Sequence, residues 1–156
     1  MISILGYDLY AGYIIRDKKI LGYSLNYNQD SLIKTLKNIA RYHNLDGDII
    51  FDENLDRFFQ NKINEYFNGK KILFDLEIYK NNIVYTRLLD LNRMITYKDL
   101  STQLNIDIHS LIYSLKNNPF IILIPCHLVI GKKDIGDYTP LGKKFKLELL
   151  KKLNLI

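Results

Sequence analysis

The sequence predicts an α+β protein built from two small units. Short runs rich in Ile, Leu and Tyr, separated by turn formers, begin the chain and indicate strands. Beyond residue 82, apolar residues recur at helical spacing in several short segments. A polar stretch at 79–82 separates these patterns and marks the expected boundary between an N-terminal unit, 1–79, and a C-terminal unit, 80–156. A length of 156 residues suits two such units.

The N-terminal unit is expected to contain both strands and helices. The predicted strands are 2–7, 12–16, 19–27 and 72–76, the turns 8–12 and 16–19, and the helices 31–43 and 54–67. Ser31 is the predicted N-cap of the first helix. Its tyrosines are expected to pack within strands, and no group of chemically active side chains stands out in this unit.

The C-terminal unit is expected to consist mainly of short helices. The predicted helices are 83–91, 97–104, 108–117 and 143–153. Thr96 with Asp99 resembles a capping box at the start of the second helix. The third helix is expected to bury Ile108, Leu111, Ile112 and Leu115, and the last one to turn its lysines outward. The middle two helices have the length and tight turn of a helix-turn-helix, although many helix pairs pack this way without touching DNA.

The basic excess of the chain lies in its second half. Residues 1–81 contain 11 Lys and Arg against 11 Asp and Glu, whereas residues 82–156 contain 11 against 6. A basic half favours a polyanionic partner, because lysines that neutralise phosphates release counterions. A lysine-rich solvated surface is the ordinary alternative.

Cysteine and histidine usage narrows the chemistry. One cysteine forms no internal disulfide, and no Cys/His cluster has zinc-ligand spacing, so neither a metal nor a cofactor is expected. No apolar run is long enough to span a bilayer, and the N-terminus lacks the pattern of a signal peptide. A cytoplasmic protein without a membrane partner is therefore expected.

The only cysteine, Cys126, lies in an apolar stretch, residues 118–130. A buried free cysteine usually acts as a small packing residue. Here Pro125 interrupts any regular backbone ladder just before it. His127 follows directly, and a nearby imidazole raises the thiolate fraction of a cysteine. Both a packing role and a protected nucleophile are open on these grounds.

Asn118-Pro119, followed by residues 122–127 (Ile-Leu-Ile-Pro-Cys-His) and Val129, resembles the active-site signature of the methylated-DNA–protein-cysteine methyltransferases, also called 6-O-alkylguanine-DNA alkyltransferases. In that family the cysteine removes the alkyl group from a damaged guanine and keeps it. The resemblance covers residues 83–156 and implies a monomeric suicide enzyme that acts on double-stranded DNA. It also implies a ribonuclease-H-like N-terminal unit and a winged-helix C-terminal one, with 4-O-alkylthymine as a further candidate substrate.

The same resemblance implies roles for individual residues. Cys126 would be the nucleophile, and His127 its base or relay, directly or through a water. Asn118 would tie the helix pair to the cysteine segment by side-chain hydrogen bonds. The residues expected around the flipped base are Asn118, Tyr97, Tyr138 and Thr139. Those expected to contact DNA are Tyr97, Lys98, His109, Ser110, Lys116 and Lys132, with Lys133 as a further phosphate candidate.

Several positions depart from the family pattern. Leu128 replaces the usual Arg after the Cys-His pair, and His109 stands where an Arg usually fills the gap left by the flipped base. Leu153 aligns with the Glu that usually completes the Cys–His chain. Ser110 and Ile112 replace small residues, and a second proline expected near Ile121 is absent.

Two other classes of function remain open from the sequence. A DNA-binding regulator or damage sensor would flip alkylated bases without chemistry, and would have no need of Cys126. A cysteine hydrolase would use the same thiol on an acyl group, but the missing acid and the small number of histidines disfavour it.

Overall fold

The computed structural model describes residues 1–156 and has a mixed α/β fold. The strands are β1 (Ile2–Ile4), β2 (Tyr7–Arg16), β3 (Lys19–Asn26), β4 (Asp48–Ile50), β5 (Ile95–Thr96) and β6 (Val129–Ile130). The helices are α1 (Gln29–His43), α2 (Glu53–Phe67), α3 (Asn82–Asp90), α4 (Tyr97–Leu104), α5 (Ile108–Lys116) and α6 (Lys143–Lys152), with a 3₁₀ turn at Cys126–Leu128. The helix boundaries predicted from sequence lie within two residues of these.

Strand β2 organises the larger sheet, since β1, β3 and β4 all pair with it in antiparallel fashion. The predicted turn at residues 8–12 is wrong, because these residues lie inside β2. The chain turns instead at Leu5 and Gly6, which both have positive φ. Gly12 serves packing, since a Cβ there would lie 2.7 Å from a methyl group of Leu36 on α1. A glycine therefore lets the helix approach the sheet closely.

Two further expectations for the N-terminal half are wrong. Helix α1 is capped by Asn28, whose side chain accepts a hydrogen bond from the amide of Ser31 at 2.8 Å, so Ser31 lies inside the helix. Residues 72–76 form no strand, since no neighbouring strand pairs with them, and Leu73 is 90% exposed. The short strand β4 was not predicted.

The C-terminal half contains the predicted helix pair. Helices α4 and α5 are joined by residues 105–107, and the side chains of Thr96 and Asp107 cap their N-termini. Leu111 is fully buried, but Ile108 is 41% exposed, so its assignment to the core was wrong. Ile108 is the first residue of α5, and the buried residues of this helix, Leu111 and Ser114, lie further along it. The short strands β5 and β6 pair in parallel and join the start of α4 to the segment that follows Cys126.

One hydrophobic core of 27 buried residues runs through both halves of the chain. It joins residues of the large sheet, such as Tyr23, to Leu100 on α4 and to the segment around Cys126. None of the helices is long and apolar enough to cross a membrane.

His43, at the end of α1, ties the two halves together. Its Nδ1 accepts a hydrogen bond from the amide of Lys80 at 3.1 Å, so Nε2 carries the hydrogen and donates to the carbonyl of Asn117 at 2.7 Å. Burial lowers the pKa of His43 to about 4, helped by the charge of Lys80 and opposed by the hydrogen bond to Asn117. The neutral imidazole is therefore the form that fits this site.

We expect acid to weaken the protein through His43. The unfolded chain binds the His43 proton below a pH of about 6.5, whereas the folded protein resists it down to about 4. The free energy of unfolding should therefore fall as the pH drops from 7 to 4.5. His43→Gln should lower stability at pH 7 by about 1–3 kcal/mol and flatten this dependence.

Urea unfolding at several pH values measures both effects. His109→Gln, at an exposed histidine, is the matched control and should keep the wild-type slope. Parallel pH profiles for wild type and His43→Gln would contradict the assignment. His127 is present in all three proteins, so its own contribution cancels in the comparison.

Candidate active site

The backbone around Cys126 is held by two tight turns. The amide of Ile124 bonds the carbonyl of Phe120 at 2.8 Å, with Ile122 at positive φ inside this turn. The amide of Cys126 then bonds the carbonyl of Ile124 at 2.7 Å across Pro125, whose φ of −80° and ψ of 67° define an inverse γ-turn. Cys126 therefore begins a single 3₁₀ turn and does not lie in a strand.

Asn118 closes this segment upon itself. Its Nδ2 donates to the carbonyl of Ile124 at 2.8 Å, and its Oδ1 accepts from the amide of Phe120 at 2.9 Å. The residue lies two positions after the end of α5, so these bonds hold the turn that carries the cysteine near the helix pair. The resemblance implied that Asn118 ties the helix pair to the cysteine segment, and that role stays a prediction.

Cys126 opens on a cavity of about 330 Å³ between the helix pair and the loop before α6. Its walls are formed by Tyr97, Ile112, Leu115, Lys116, Cys126, Gly136, Asp137, Tyr138 and Thr139. The structure thus gathers Tyr97, Tyr138, Thr139 and Lys116, all named from sequence, around the thiol. His127 does not line this cavity.

The environment of Cys126 favours the neutral thiol at rest. Burial raises its pKa, and this is opposed by the side chain of Asn118 and by the positive charge of Lys146. The side chain is only 5% exposed. The hydroxyl of Tyr138, another wall of the cavity, is buried and has no hydrogen-bond partner. An incoming polar group would find that hydroxyl available.

His127 is fully buried and contacts the N-terminal half of the chain. Its Nε2 lies 2.7 Å from the hydroxyl of Tyr66 on α2, while its Nδ1 is buried without a partner. Burial lowers the pKa of His127 to about 3, and the charge of Lys146 acts in the same direction. The imidazole is therefore neutral at physiological pH.

Lys146 on α6 is a site residue that the sequence analysis missed, because all lysines of this helix were expected to face outward. It is 1% exposed, and its Nζ donates to the carbonyl of Val129 at 2.6 Å and to that of Asp137 at 3.3 Å. Burial lowers its pKa to about 8, although Cys126 and nearby acids raise it. The buried Leu149 and Leu150 follow three and four residues later. This spacing placed position 146 on the inward face and could have identified it.

Tyr97 also lines the cavity at Cys126. Its hydroxyl accepts a hydrogen bond from Nζ of Lys146 at 3.4 Å, and that ammonium lies 5.6 Å from the centre of the ring. Burial raises the pKa of Tyr97 to about 12, so its hydroxyl keeps its proton at neutral pH. Gly136 packs against this ring, and any Cβ there would collide with the tyrosine.

The remaining residues expected to contact DNA lie outside the cavity. Lys98, His109 and Lys132 are exposed. The hydroxyl of Ser110 already donates a hydrogen bond to the carboxylate of Asp107, the N-cap of α5, at 2.7 Å. No group of three or more His, Cys, Asp or Glu side chains is placed to hold a metal ion.

The fold and the cavity together define a class of protein: a mixed α/β chain whose one cysteine is buried in the wall of a cavity beside a helix pair. A scan against protein-family models finds no match. Curated proteins do match. The methylated-DNA–protein-cysteine methyltransferase of Archaeoglobus fulgidus is 30% identical over 108 residues, which are 62% of this chain and 74% of that protein. The chain belongs to the methylated-DNA–protein-cysteine methyltransferase family.

Two further relatives carry the same name but match over less of their length. The protein of Thermococcus barophilus is 35% identical over 78 residues, or 49% of this chain and 43% of that protein. The protein of Metallosphaera sedula is 29% identical over 101 residues, or 57% of this chain and 62% of its own. The chain thus spans less than two thirds of these two relatives.

Solved structures match over nearly the whole chain. The O6-methylguanine-DNA methyltransferase of Pyrococcus kodakaraensis superposes with a TM-score of 0.69 at 25% identity, covering 93% of this chain and 91% of that one. The methyltransferase of Methanococcus jannaschii superposes with a TM-score of 0.61, covering 96% and 92%. At 19% identity, this second match concerns the fold alone.

We expect Gly136→Ala to disturb the cavity more than its backbone strain explains. Gly136 and Gly69 both have positive φ, 78° and 85°, so alanine at either position costs about 1–2 kcal/mol. A Cβ at position 69 meets no atom within 4 Å, whereas one at 136 collides with Tyr97. Gly69→Ala is therefore the control for strain alone.

Denaturant unfolding and the reaction rate of Cys126 with a small alkylating reagent measure the difference. Gly136→Ala should lose about 1 kcal/mol or more beyond Gly69→Ala, and only Gly136→Ala should change the thiol rate. Equal effects of the two variants would show that Gly136 does not shape the cavity.

Proposed function

We propose that this protein repairs DNA by transferring the alkyl group of 6-O-alkylguanine, and secondarily of 4-O-alkylthymine, irreversibly to Cys126. The observation that carries the proposal is that the only cysteine lines a cavity beside the helix pair. Membership of the family supports the same reaction. The volume of about 330 Å³ falls in the range of small-molecule sites.

The reaction is a displacement at carbon, for which a thiolate is the best nucleophile in a protein. A bond forms between Sγ of Cys126 and the alkyl carbon, and the bond from that carbon to the guanine oxygen breaks. Its electron pair stays on the guanine, which takes up the proton given up by the thiol. The thioether is stable, so each protein molecule reacts once.

Proton transfer from the thiol would run through His127. The imidazole lies outside the cavity lined by Cys126, so a bridging water suits the geometry better than direct contact. Two groups support the thiolate as it forms, namely the side chain of Asn118 and the charge of Lys146. Both are fixed before a substrate arrives, so the site needs little reorganisation.

Recognition of the flipped base would fall to the cavity walls. The hydroxyls of Tyr97 and Tyr138 are protonated and able to donate to the base. Thr139 and the backbone N–H groups of residues 137–139 would support the leaving oxygen. Pro140 has no N–H, and that of Gly136 donates to Asp134. The target base lies inside the DNA stack, so the nucleotide must be rotated out to reach Cys126.

The helix pair is proposed as the DNA-binding surface. Lys98, Lys116 and Lys132 are exposed around it and would contact phosphates. His109, exposed on α5, would occupy the gap left by the flipped base, and Ser110 would lie against the same strand. Double-stranded DNA is therefore the proposed partner.

We also propose the finer architecture that the resemblance implies. Residues 1–79 would form a ribonuclease-H-like unit, supported by the antiparallel order β1-β2-β3 followed by α1. Residues 80–156 would form a winged-helix unit, supported by the helix pair. The resemblance also implies a monomer, and a lone thiol suits the reducing cytoplasm.

A mass measurement tests the reaction. An oligonucleotide duplex with one 6-O-methylguanine, given in excess, should add a single methyl group to the protein on Cys126. Cys126→Ser should take up none and should still bind the duplex, since its hydroxyl is a much poorer nucleophile. Tight binding by the wild type without methyl uptake would favour the alternative of a non-catalytic damage sensor.

The salt dependence of binding tests the DNA surface. Lys116→Gln and Lys132→Gln should each reduce the slope of log affinity against log salt by about 1, because one phosphate contact is lost. Lys19→Gln, at the exposed start of β3, is the control and should keep the wild-type slope. Wild-type slopes in the first two variants would place the DNA elsewhere.

A further inference from the structure

Tyr66 on α2 contacts His127 from the N-terminal half of the chain. Its hydroxyl lies 2.7 Å from Nε2 of His127, and this is the only hydrogen bond that the hydroxyl makes. The two rings meet edge to face, with centres 5.7 Å apart. Tyr66 belongs to the N-terminal half, so a side chain from that half reaches the residue next to the nucleophile.

No carboxylate hydrogen-bonds to His127. Leu128 and Leu153 line, together with Tyr66, an apolar cavity of about 250 Å³ that is separate from the one at Cys126. The titratable groups that act on or contact His127 are Tyr66, Tyr138 and Lys146. Of these, only Tyr66 is hydrogen-bonded to the imidazole.

The hydrogen on the neutral imidazole decides which nitrogen can take a proton. Nε2 faces Tyr66, so a proton arriving from Cys126 must go to Nδ1, which is buried and has no partner. Nδ1 has a free lone pair only when the hydrogen is on Nε2. In that tautomer, Nε2 donates to the oxygen of Tyr66.

We propose that Tyr66 is a positioning residue that accepts the hydrogen of His127 Nε2 and thereby keeps Nδ1 open to receive the thiol proton. This inference rests on the proposed alkyl transfer and assigns the N-terminal half a part in it. The same bond fixes the plane of the imidazole ring, as partners of catalytic histidines do in other sites.

Because Tyr66 is a neutral partner, it affects how long His127 can hold the proton. Burial raises the pKa of Tyr66, so the hydroxyl stays neutral. A neutral acceptor stabilises an imidazolium less than a carboxylate does. His127 therefore holds the proton only in passing, and the released guanine is its final acceptor.

Tyr66→Phe in the full-length chain tests the inference, because it removes the hydroxyl and keeps the ring. Nitrogen NMR of ¹⁵N-histidine-labelled protein reports the tautomer of His127 directly. Wild type should show the hydrogen on Nε2, and Tyr66→Phe a mixture of both tautomers. The rate of methyl transfer should fall about tenfold or more, as expected for a lost bond to a group that becomes charged.

Tyr42→Phe is the matched control. Tyr42 also joins the two halves through its hydroxyl, which lies 2.9 Å from Oγ of Ser114, but it does not contact His127. This variant should keep both the tautomer and the transfer rate. Urea unfolding of the two variants separates loss of stability from loss of orientation.

Two results would overturn the inference. One is a wild-type His127 with its hydrogen on Nδ1, which needs no variant to observe. The other is wild-type transfer by Tyr66→Phe. A wild-type protein that takes up no methyl group would overturn the proposed function instead, and the tautomers of wild type and variant would still decide the role of Tyr66.

Discussion

Burial of an irregular segment, residues 118–128, is the constraint on which the site depends. Its backbone polar groups lie in the core without a regular sheet to pair them, and each unpaired group would be costly. Asn118 satisfies the carbonyl of Ile124 and the amide of Phe120. Tyr23 on β3 donates its hydroxyl to the carbonyl of Ile121 and its amide to that of Pro119. The cysteine is therefore placed by both halves of the chain, and the large sheet is part of the scaffold of the candidate active site.

The same burial explains how the thiol can be protected and still become reactive. In the closed core, desolvation raises the pKa of Cys126 and keeps the sulfur protonated. Low polarity also strengthens the attraction between a thiolate and Lys146, whose Nζ is held by the carbonyls of Val129 and Asp137. The charge of Lys146 thus acts mainly on the ionised state that the proposed reaction needs. Under that proposal, stray electrophiles would meet a neutral thiol, whereas a bound base would meet a site whose charges are already in place.

Elements that follow local rules could be predicted from the sequence, and tertiary hydrogen bonds could not. The N-cap at Thr96 and the helical spacing of apolar residues in α3–α6 predicted helix boundaries close to those observed. Cys126, Tyr97 and Tyr138, which share a cavity, could be grouped from the sequence because a motif and its loop indicated them together. Tyr66 escaped notice because it lies 61 residues from its partner, and no local pattern marks such a bond. Residues 72–76 misled in the opposite way, since apolar content alone does not supply a neighbouring strand.

Leu128 and Leu153 are two departures from the family pattern that can be explained together. The family pattern usually has Arg at the first position and Glu at the second, and here both leucines line one apolar cavity beside Tyr66. Leu128 is buried and no carboxylate lines this cavity, so an Arg at position 128 alone would lack an opposite charge, which is strongly destabilising. Replacing both members of such a pair by apolar residues is close to neutral. The change leaves His127 without a carboxylate and leaves one polar group, the Tyr66 hydroxyl, to satisfy Nε2. Apolar packing and imidazole orientation in this chain are therefore consequences of the same substitution.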